Sequence, residues 1–361
     1  MSKIFESMTI EEQQAWWLVE AGYALQGMNK PDAHVEWLSY THHPVFKVME
    51  NDSTYILHMF IHENYRWDKL FTVASWLTLM RTAGQFSVPQ PVLRGNNFLT
   101  YQGMHDEIAW NGILYHYLEG VSRNPDEVTT DELKRIGEFL AKTHQFSTDC
   151  LKQFRSFNPD SPISSDINGL ILTSIGFAHS QLTRLDWDGL FSRDGIYYPG
   201  DENMTVFSNE QLSVMDAVAE KVKSAMDEIG QGEDGFGLIH GDFLLKNILF
   251  HENEVRALDF EYCGWGYYLY DLTPILWQLK PQARYPQLEQ ALWDGYTGIR
   301  PLTEGHRELL ETFIAGRQVA SMRWIAANQQ NPYVAGKVES ILAQRTVELS
   351  AFLETGILKR E

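Results

Sequence analysis

Gly237-Leu238-Ile239-His240-Gly241-Asp242-Phe243-Leu244-Leu245-Lys246-Asn247-Ile248-Leu249-Phe250, followed by Leu258-Asp259-Phe260-Glu261, is the stretch whose reading decides the fold. Its pattern predicts an apolar strand, a polar loop, a second apolar strand, a turn and a third strand that ends in carboxylates. Asp242 and Asn247 stand five positions apart and Asp259 lies seventeen beyond Asp242, so a hairpin brings their oxygens towards one point. Hard cations such as Mg2+ take oxygen ligands and few protein carboxylates, which suits Asn247 and Asp259. Asp242 is then placed to orient a hydroxyl and take its proton. Each of these residues alone reads equally well as a turn cap; their combination between apolar strands is what points to chemistry. His240 joins Asp242 as a candidate catalytic residue, with bracing of the loop by hydrogen bonding as its expected part.

Working outward, the chain of 361 residues is long for one core and comfortable for two units. Its 44% hydrophobic and 13% aromatic content suits a packed globular protein. A formal net charge of -19 excludes nucleic acid and anionic membrane surfaces as natural partners. The same charge is compatible with a cationic substrate, although solubility explains it as well. Two cysteines, Cys150 and Cys263, give neither a disulfide framework nor a zinc spacing. No targeting signal and no membrane-spanning run is read, so a cytoplasmic setting is expected. Oligomeric state is not readable.

Upstream, helical periodicity over 10–26 follows a Thr9 cap and places Trp17, Leu18, Ala21, Ala24 and Leu25 on one face. Strands are expected at 35–39, 45–50 and 55–61, a helix at 67–81, and strands at 98–102 and 110–118. Pro89 and Pro91 make 88–92 an edge or connector. A Thr130-capped helix should run to 146, and 149–208 reads as a loop-rich insertion with a helical patch near 169–182. Further helices are expected at 209–229, 286–297, 304–329 and 332–355. The sum is an α+β chain: a small antiparallel-sheet part over 1–118, then a larger, mainly helical part over 119–361.

The stretch from Phe236 to Leu279, with His240-Gly241-Asp242, Asn247, Asp259-Phe260-Glu261 and Tyr268-Leu269-Tyr270-Asp271-Leu272, closely resembles the aminoglycoside phosphotransferase and choline kinase superfamily. The branch it most resembles contains bacterial stress-response kinases and small-molecule phosphotransferases. Weaker likeness reaches Trp76-Leu77, 88–91 and the helix from Arg317 to Trp324. The resemblance implies a two-lobed protein-kinase-like fold and transfer of the terminal phosphate of ATP to a hydroxyl of a small molecule. It implies Asp242 as base, Asn247 and Asp259 as Mg2+ ligands, and Asp271 as a buried brace of the catalytic loop, a role compatible with helix capping. Tyr115, His116 and Tyr117 match the segment that meets adenine. Glu261 and Trp265 become candidates for the acceptor side.

At the position where the family carries a Lys or Arg on its third strand stands His58, and Val73 stands where the helix Glu is expected. A neutral His brings less charge to a phosphate than Lys. Lys47, one strand earlier, is the alternative source, and a protonated His58 is another. Two rival functions stay open: a kinase-like binding protein without turnover, and a Ser/Thr protein kinase.

Overall fold

The structure is a computed structural model and describes residues 8–40, 43–61, 66–82, 86–156, 182–302, 305–331 and 333–360. The described residues divide into two compact units, one ending at Glu119 and one running from Gly120. The α+β expectation holds, with an antiparallel sheet first and mostly helices after it. His42, in the connector after the first strand where it adjoins His43 as a loop pair, and His62, which strand parity would place on the face of His58, fall outside the described residues, as does nearly all of the helical patch near 169–182.

In the first unit, helix α1 (Ile10–Gly27) starts at a reciprocal capping box: Thr9 Oγ1 accepts from Glu12 N at 3.2 Å, and Glu12 Oε2 accepts from Thr9 N at 2.7 Å. Trp17, Ala21, Ala24 and Leu25 are buried as expected, but Leu18 is exposed and Trp16 and Glu20 complete the buried stripe. Leu18 lies off the i, i+4 line through Trp17 and Ala21. Strands β1 (His34–Tyr40), β2 (Pro44–Glu50) and β3 (Ser53–Ile61) precede α2 (Trp67–Thr82). After a short hairpin of β4 (Leu93–Arg94) and β5 (Asn97–Phe98), β6 (Thr100–His105) and β7 (Ile108–His116) complete a five-stranded sheet in the order β1-β2-β3-β7-β6. The strand expected at 98–102 is therefore broken at Leu99, whose backbone bonds both Val92 and Leu114. Around Pro89 and Pro91 the chain follows the end of β7 through Val92 N and Gln90 O, bonds that need no proline donor.

Phe46, Val48, Leu57, Met59, Trp110 and Leu114 pack with the α1 stripe as one core. Inside it lies a carboxylate. Glu20, 2% exposed, accepts from Trp110 Nε1 at 2.8 Å and from His105 Nδ1 at 2.5 Å. The hydrogen bond to Glu20 raises the His105 pKa. A raised folded-state pKa stabilises fully below the unfolded value, about 6.5, and is lost as pH rises through the folded value. His105→Gln should therefore cost most stability below pH ~6.5 and progressively less above it. Urea melts of both proteins across pH check this; a constant difference would show that His105 stays neutral.

In the second unit, α3 (Thr130–Ser156) is capped by Thr129, one residue before the expected Thr130: Glu132 N donates to Thr129 Oγ1 at 3.1 Å and Thr129 N to Glu132 Oε2 at 2.9 Å. Strand β8 (Thr183–Leu185), α4 (Trp187–Phe191) and α5 (Asp201–Met204) occupy the described end of the insertion. Then follow α6 (Asn209–Ile229), β9 (Phe236–Ile239), β10 (Ile248–His251), β11 (Glu254–Ala257), β12 (Gly264–Tyr267), α7 (Tyr268–Asp271), α8 (Thr273–Leu279), α9 (Tyr285–Ile299), α10 (His306–Ala327) and α11 (Val338–Thr355). Strands β10 and β11 form the expected hairpin, but β9 pairs with β12, not β10, in a sheet ordered β8-β12-β9.

Helices α3 and α9 cross in near-backbone contact. A Cβ at Gly137 would lie 2.1 Å from the Leu292 carbonyl, and one at Gly295 2.0 Å from that of Lys134. This approach sets His144 of α3 against Tyr296 of α9. Helix α10 is buried almost all round, as a central core helix must be. Among the described residues, no helix is long and apolar enough to cross a membrane.

Candidate active site

Strand β9 delivers the chain into a buried loop at His240, and Gly241 makes the turn. Its φ of +83° is a region that disfavours side chains, and a Cβ would lie 2.7 Å from Leu185 and from the Tyr262 carbonyl. The loop hangs on Asp271, the last residue of α7, which is 0% exposed. Asp271 Oδ2 accepts from His240 N at 2.9 Å and from His144 Nε2 at 3.0 Å; Oδ1 accepts from Gly241 N at 2.7 Å. No side-chain cap is made at the start of α8, so this carboxylate serves the loop. Burial alone would raise its pKa, but the His144 hydrogen bond and the backbone bond from His240 help hold it below the usual carboxylate range.

Both histidines are pushed down by burial, hence neutral at pH 7. His144 donates from Nε2 to Asp271 and meets the Tyr296 hydroxyl through Nδ1 at 2.8 Å. His240 donates from Nε2 to the Leu258 carbonyl at 2.8 Å, which leaves Nδ1 to accept from Asp242 N at 3.4 Å. Leu258 is also held from the other side, its N–H donating to the Asn247 carbonyl at 2.8 Å. The residue after it is Asp259, in a left-handed conformation with φ of 59°, uncommon for any residue but Gly, Asn or Asp. Loop and hairpin are thus tied together immediately beside Asp259.

A short 3-10 turn, Leu245–Asn247, is anchored by Leu245 N donating to Gln278 Oε1 at 3.0 Å. It returns Asn247 towards Asp242: Asn247 Nδ2 donates to the Asp242 carbonyl at 2.9 Å and to Asp242 Oδ2 at 3.3 Å. With its amide nitrogen so committed, Asn247 keeps Oδ1 as an oxygen donor. The other oxygen of Asp242 is taken by a residue that sequence reasoning did not assign to the site: Arg317 Nη2 of α10 donates to Oδ1 at 2.5 Å. Arg317 Nη1 donates to the Tyr197 hydroxyl at 2.9 Å, and Tyr197 stacks on Tyr262 with centroids 5.7 Å apart. Tyr270 lies beside the same guanidinium. Burial raises the pKa of Tyr197, Tyr262 and Tyr270, so all three phenols keep their protons.

Glu261 follows Asp259 in the 3-10 turn Phe260–Tyr262, and its charge acts on Tyr262. Trp265 is 2% exposed in the middle strand of the β8-β12-β9 sheet. In the first unit, Lys47 pairs in register with Ile56 and Ile56 with Tyr115, one row from Val45, His58 and Ile113. Paired residues of an antiparallel sheet share a face, so Lys47, His58 and Tyr115 lie opposite the Phe46 and Val48 core. His116 has the other parity. Lys47 Nζ lies 5.6 Å from the centre of the Tyr117 ring, just past the end of β7. Val73 is buried in α2.

Residues 41–309 match the model of a family described as APH, phosphotransferase enzyme family. An uncharacterized protein of Deinococcus radiodurans is 32% identical over 117 residues, which cover 31% of this chain and 34% of that protein, about a third of its length. A microcompartment-associated aminopropanol kinase matches with TM-score 0.75 at 18% identity, over 95% of this chain and 99% of that one. An amicoumacin kinase in complex with AMP-PNP and Ca2+ matches with TM-score 0.69 at 14% identity, over 97% and 96%. At these identities the likeness is one of fold.

Proposed function

The chain belongs to the APH phosphotransferase enzyme family, and we propose that it moves the terminal phosphate of ATP to a hydroxyl of a small molecule in the cytoplasm. One observation supports this most: Asp242 and Asn247 touch within a buried loop, and Leu258 ties that loop to Asp259. In this reading Asp242 orients the acceptor hydroxyl and takes its proton through Oδ2, while Arg317 holds Oδ1. His240 and Asp271 position the loop and exchange no proton with substrate. The amide oxygen of Asn247 and the carboxylate of Asp259 are hard donors of the kind Mg2+ takes, with one protein carboxylate between them. They would hold the ion, which when bound supplies charge neutralisation on the phosphates.

For the nucleotide, the sheet face that carries Lys47, His58 and Tyr115 supports Lys47 as the phosphate cation in place of the third-strand residue. Lys47→Met is expected to raise the KM for ATP on the order of 10- to 100-fold, the loss of one charge-assisted hydrogen bond. His58→Gln should change it by less than about threefold. The check is ATP-dependent thermal stabilisation with and without Mg2+, followed by turnover kinetics. The reverse order of the two variants would move the cation to His58, and no Mg2+-dependent stabilisation by ATP would reduce the chain to a kinase-like binding protein. The aminopropanol and amicoumacin kinases named above support a small-molecule acceptor over a protein one.

A further inference from the structure

We propose that Arg317 selects the acceptor through an anionic group: the molecule phosphorylated carries a carboxylate near its reactive hydroxyl. The inference rests on the reading of Asp242 as the group that meets the acceptor. The net charge of -19 describes the whole chain, whereas at Asp242 the carboxylate is already matched by a guanidinium. An ammonium brought to this carboxylate would gain little from it and would face Arg317, a like charge.

Donor counting leads to the same point. A guanidinium has five N–H groups. One goes to Asp242 and one to the Tyr197 hydroxyl. Arg317 Nε is buried and meets no hydrogen-bond partner among the described residues, and the Tyr270 hydroxyl lies against the same guanidinium. A buried donor left unmet is costly. A carboxylate can accept from Nε and from the phenol together. Arginine's planar fork suits a carboxylate better than any other small anion except phosphate. Burial keeps the Tyr197, Tyr262 and Tyr270 phenols protonated, which adds donors and no acceptor charge. The group is not sealed, since 9% of the Arg317 side chain and 10% of that of Asp242 remain exposed.

The test uses matched probes: homoserine with 3-aminopropan-1-ol, serine with 2-aminoethanol, and glycerate with ethylene glycol, within a wider set of hydroxylated compounds grouped by charge. Binding is read by thermal shift and calorimetry, and turnover separately with MgATP. Wild type should bind carboxylate-bearing compounds, with kcat/KM on the order of 100-fold above the partner lacking the group. Arg317→Gln should abolish that preference. Arg317→Lys keeps a charge beside Asp242 and so protects the fold, yet lacks the fork, and should lose most of the preference as well. Tyr270→Phe leaves the Asp242–Arg317 pair intact and should raise the acceptor KM about tenfold with the ATP KM unchanged. Binding confined to amine-bearing or uncharged compounds, or no binding by any carboxylate, overturns the proposal. Carboxylate binding lost in Arg317→Gln but without turnover would uphold the carboxylate site at Arg317 and sink the phosphotransferase reading on which its role as acceptor site rests.

Discussion

Asp242→Ala is expected to lose both phosphoryl transfer and stability, and the two losses have different causes. Removing a positioned proton acceptor lowers turnover by about 10²- to 10⁴-fold. The stability loss comes from Arg317. Arg317 is 7% exposed, and in the variant its guanidinium keeps the Tyr197 hydroxyl but no counter-charge. Breaking one side of a buried ion pair costs about 3–5 kcal/mol, whereas replacing both partners by apolar groups is often neutral. Asp242→Ala with Arg317→Met should therefore regain most of the lost stability in urea melts and none of the turnover. This double variant separates the chemistry of Asp242 from its part in the fold. Full turnover in Asp242→Ala would remove Asp242 as the base. Unchanged stability would mean that Arg317 finds another partner when Asp242 is gone.

The same pair shows where sequence reading reaches and where it stops. The first-unit strands could be read because one face is buried and the period of two is clear: Phe46 and Val48 point in, Lys47 between them does not. Asp242, Asn247 and Asp259 could be read because one loop and one hairpin hold all three within a few turns of chain. Arg317 lies 75 residues from Asp242, and His144 lies 127 from Asp271. Contacts at such separation leave no periodic trace. A weaker sign was available for Arg317: it sits in the middle of α10 among Phe313, Ile314, Ala315, Val319 and Ala320. A charge in so apolar a helix needs a specific partner. Tyr197 comes from the insertion, where Pro, Gly, Ser and Asp obscure any period. A short loop joins β9 to β10, and short connections usually join neighbouring strands. Glycines at 264 and 266 instead let β12 lie close to Thr183, Leu185 and Ile239, so β12 takes that place.

Asp271→Ala should cost stability on a similar scale, through hydrogen bonds rather than charge alone. The substitution strands three donors: the backbone N–H groups of His240 and Gly241, and His144 Nε2. Each buried donor left unmet costs about 1–3 kcal/mol, so a loss of roughly 3–9 kcal/mol is expected, with turnover falling because the loop carrying Asp242 loses its anchor. Acid should act on the same network in two stages. Burial lowers the pKa of His144 and His240, so the unfolded chain takes up protons near pH ~6.5 that the folded chain refuses. Stability then falls as pH drops below ~6.5, by up to about 1.4 kcal/mol per pH unit for each histidine. Asp271 behaves as a depressed carboxylate: its contribution is present above the unfolded value, near 3.9, and is lost as pH falls through its lower folded value. His240→Gln can keep a donor for the Leu258 carbonyl and cannot titrate. Its urea stability between pH 8 and 5 should fall by one proton's slope less than that of wild type. Equal slopes would mean that His240 is protonated in the folded loop, and its Nδ1 could then accept nothing from Asp242 N.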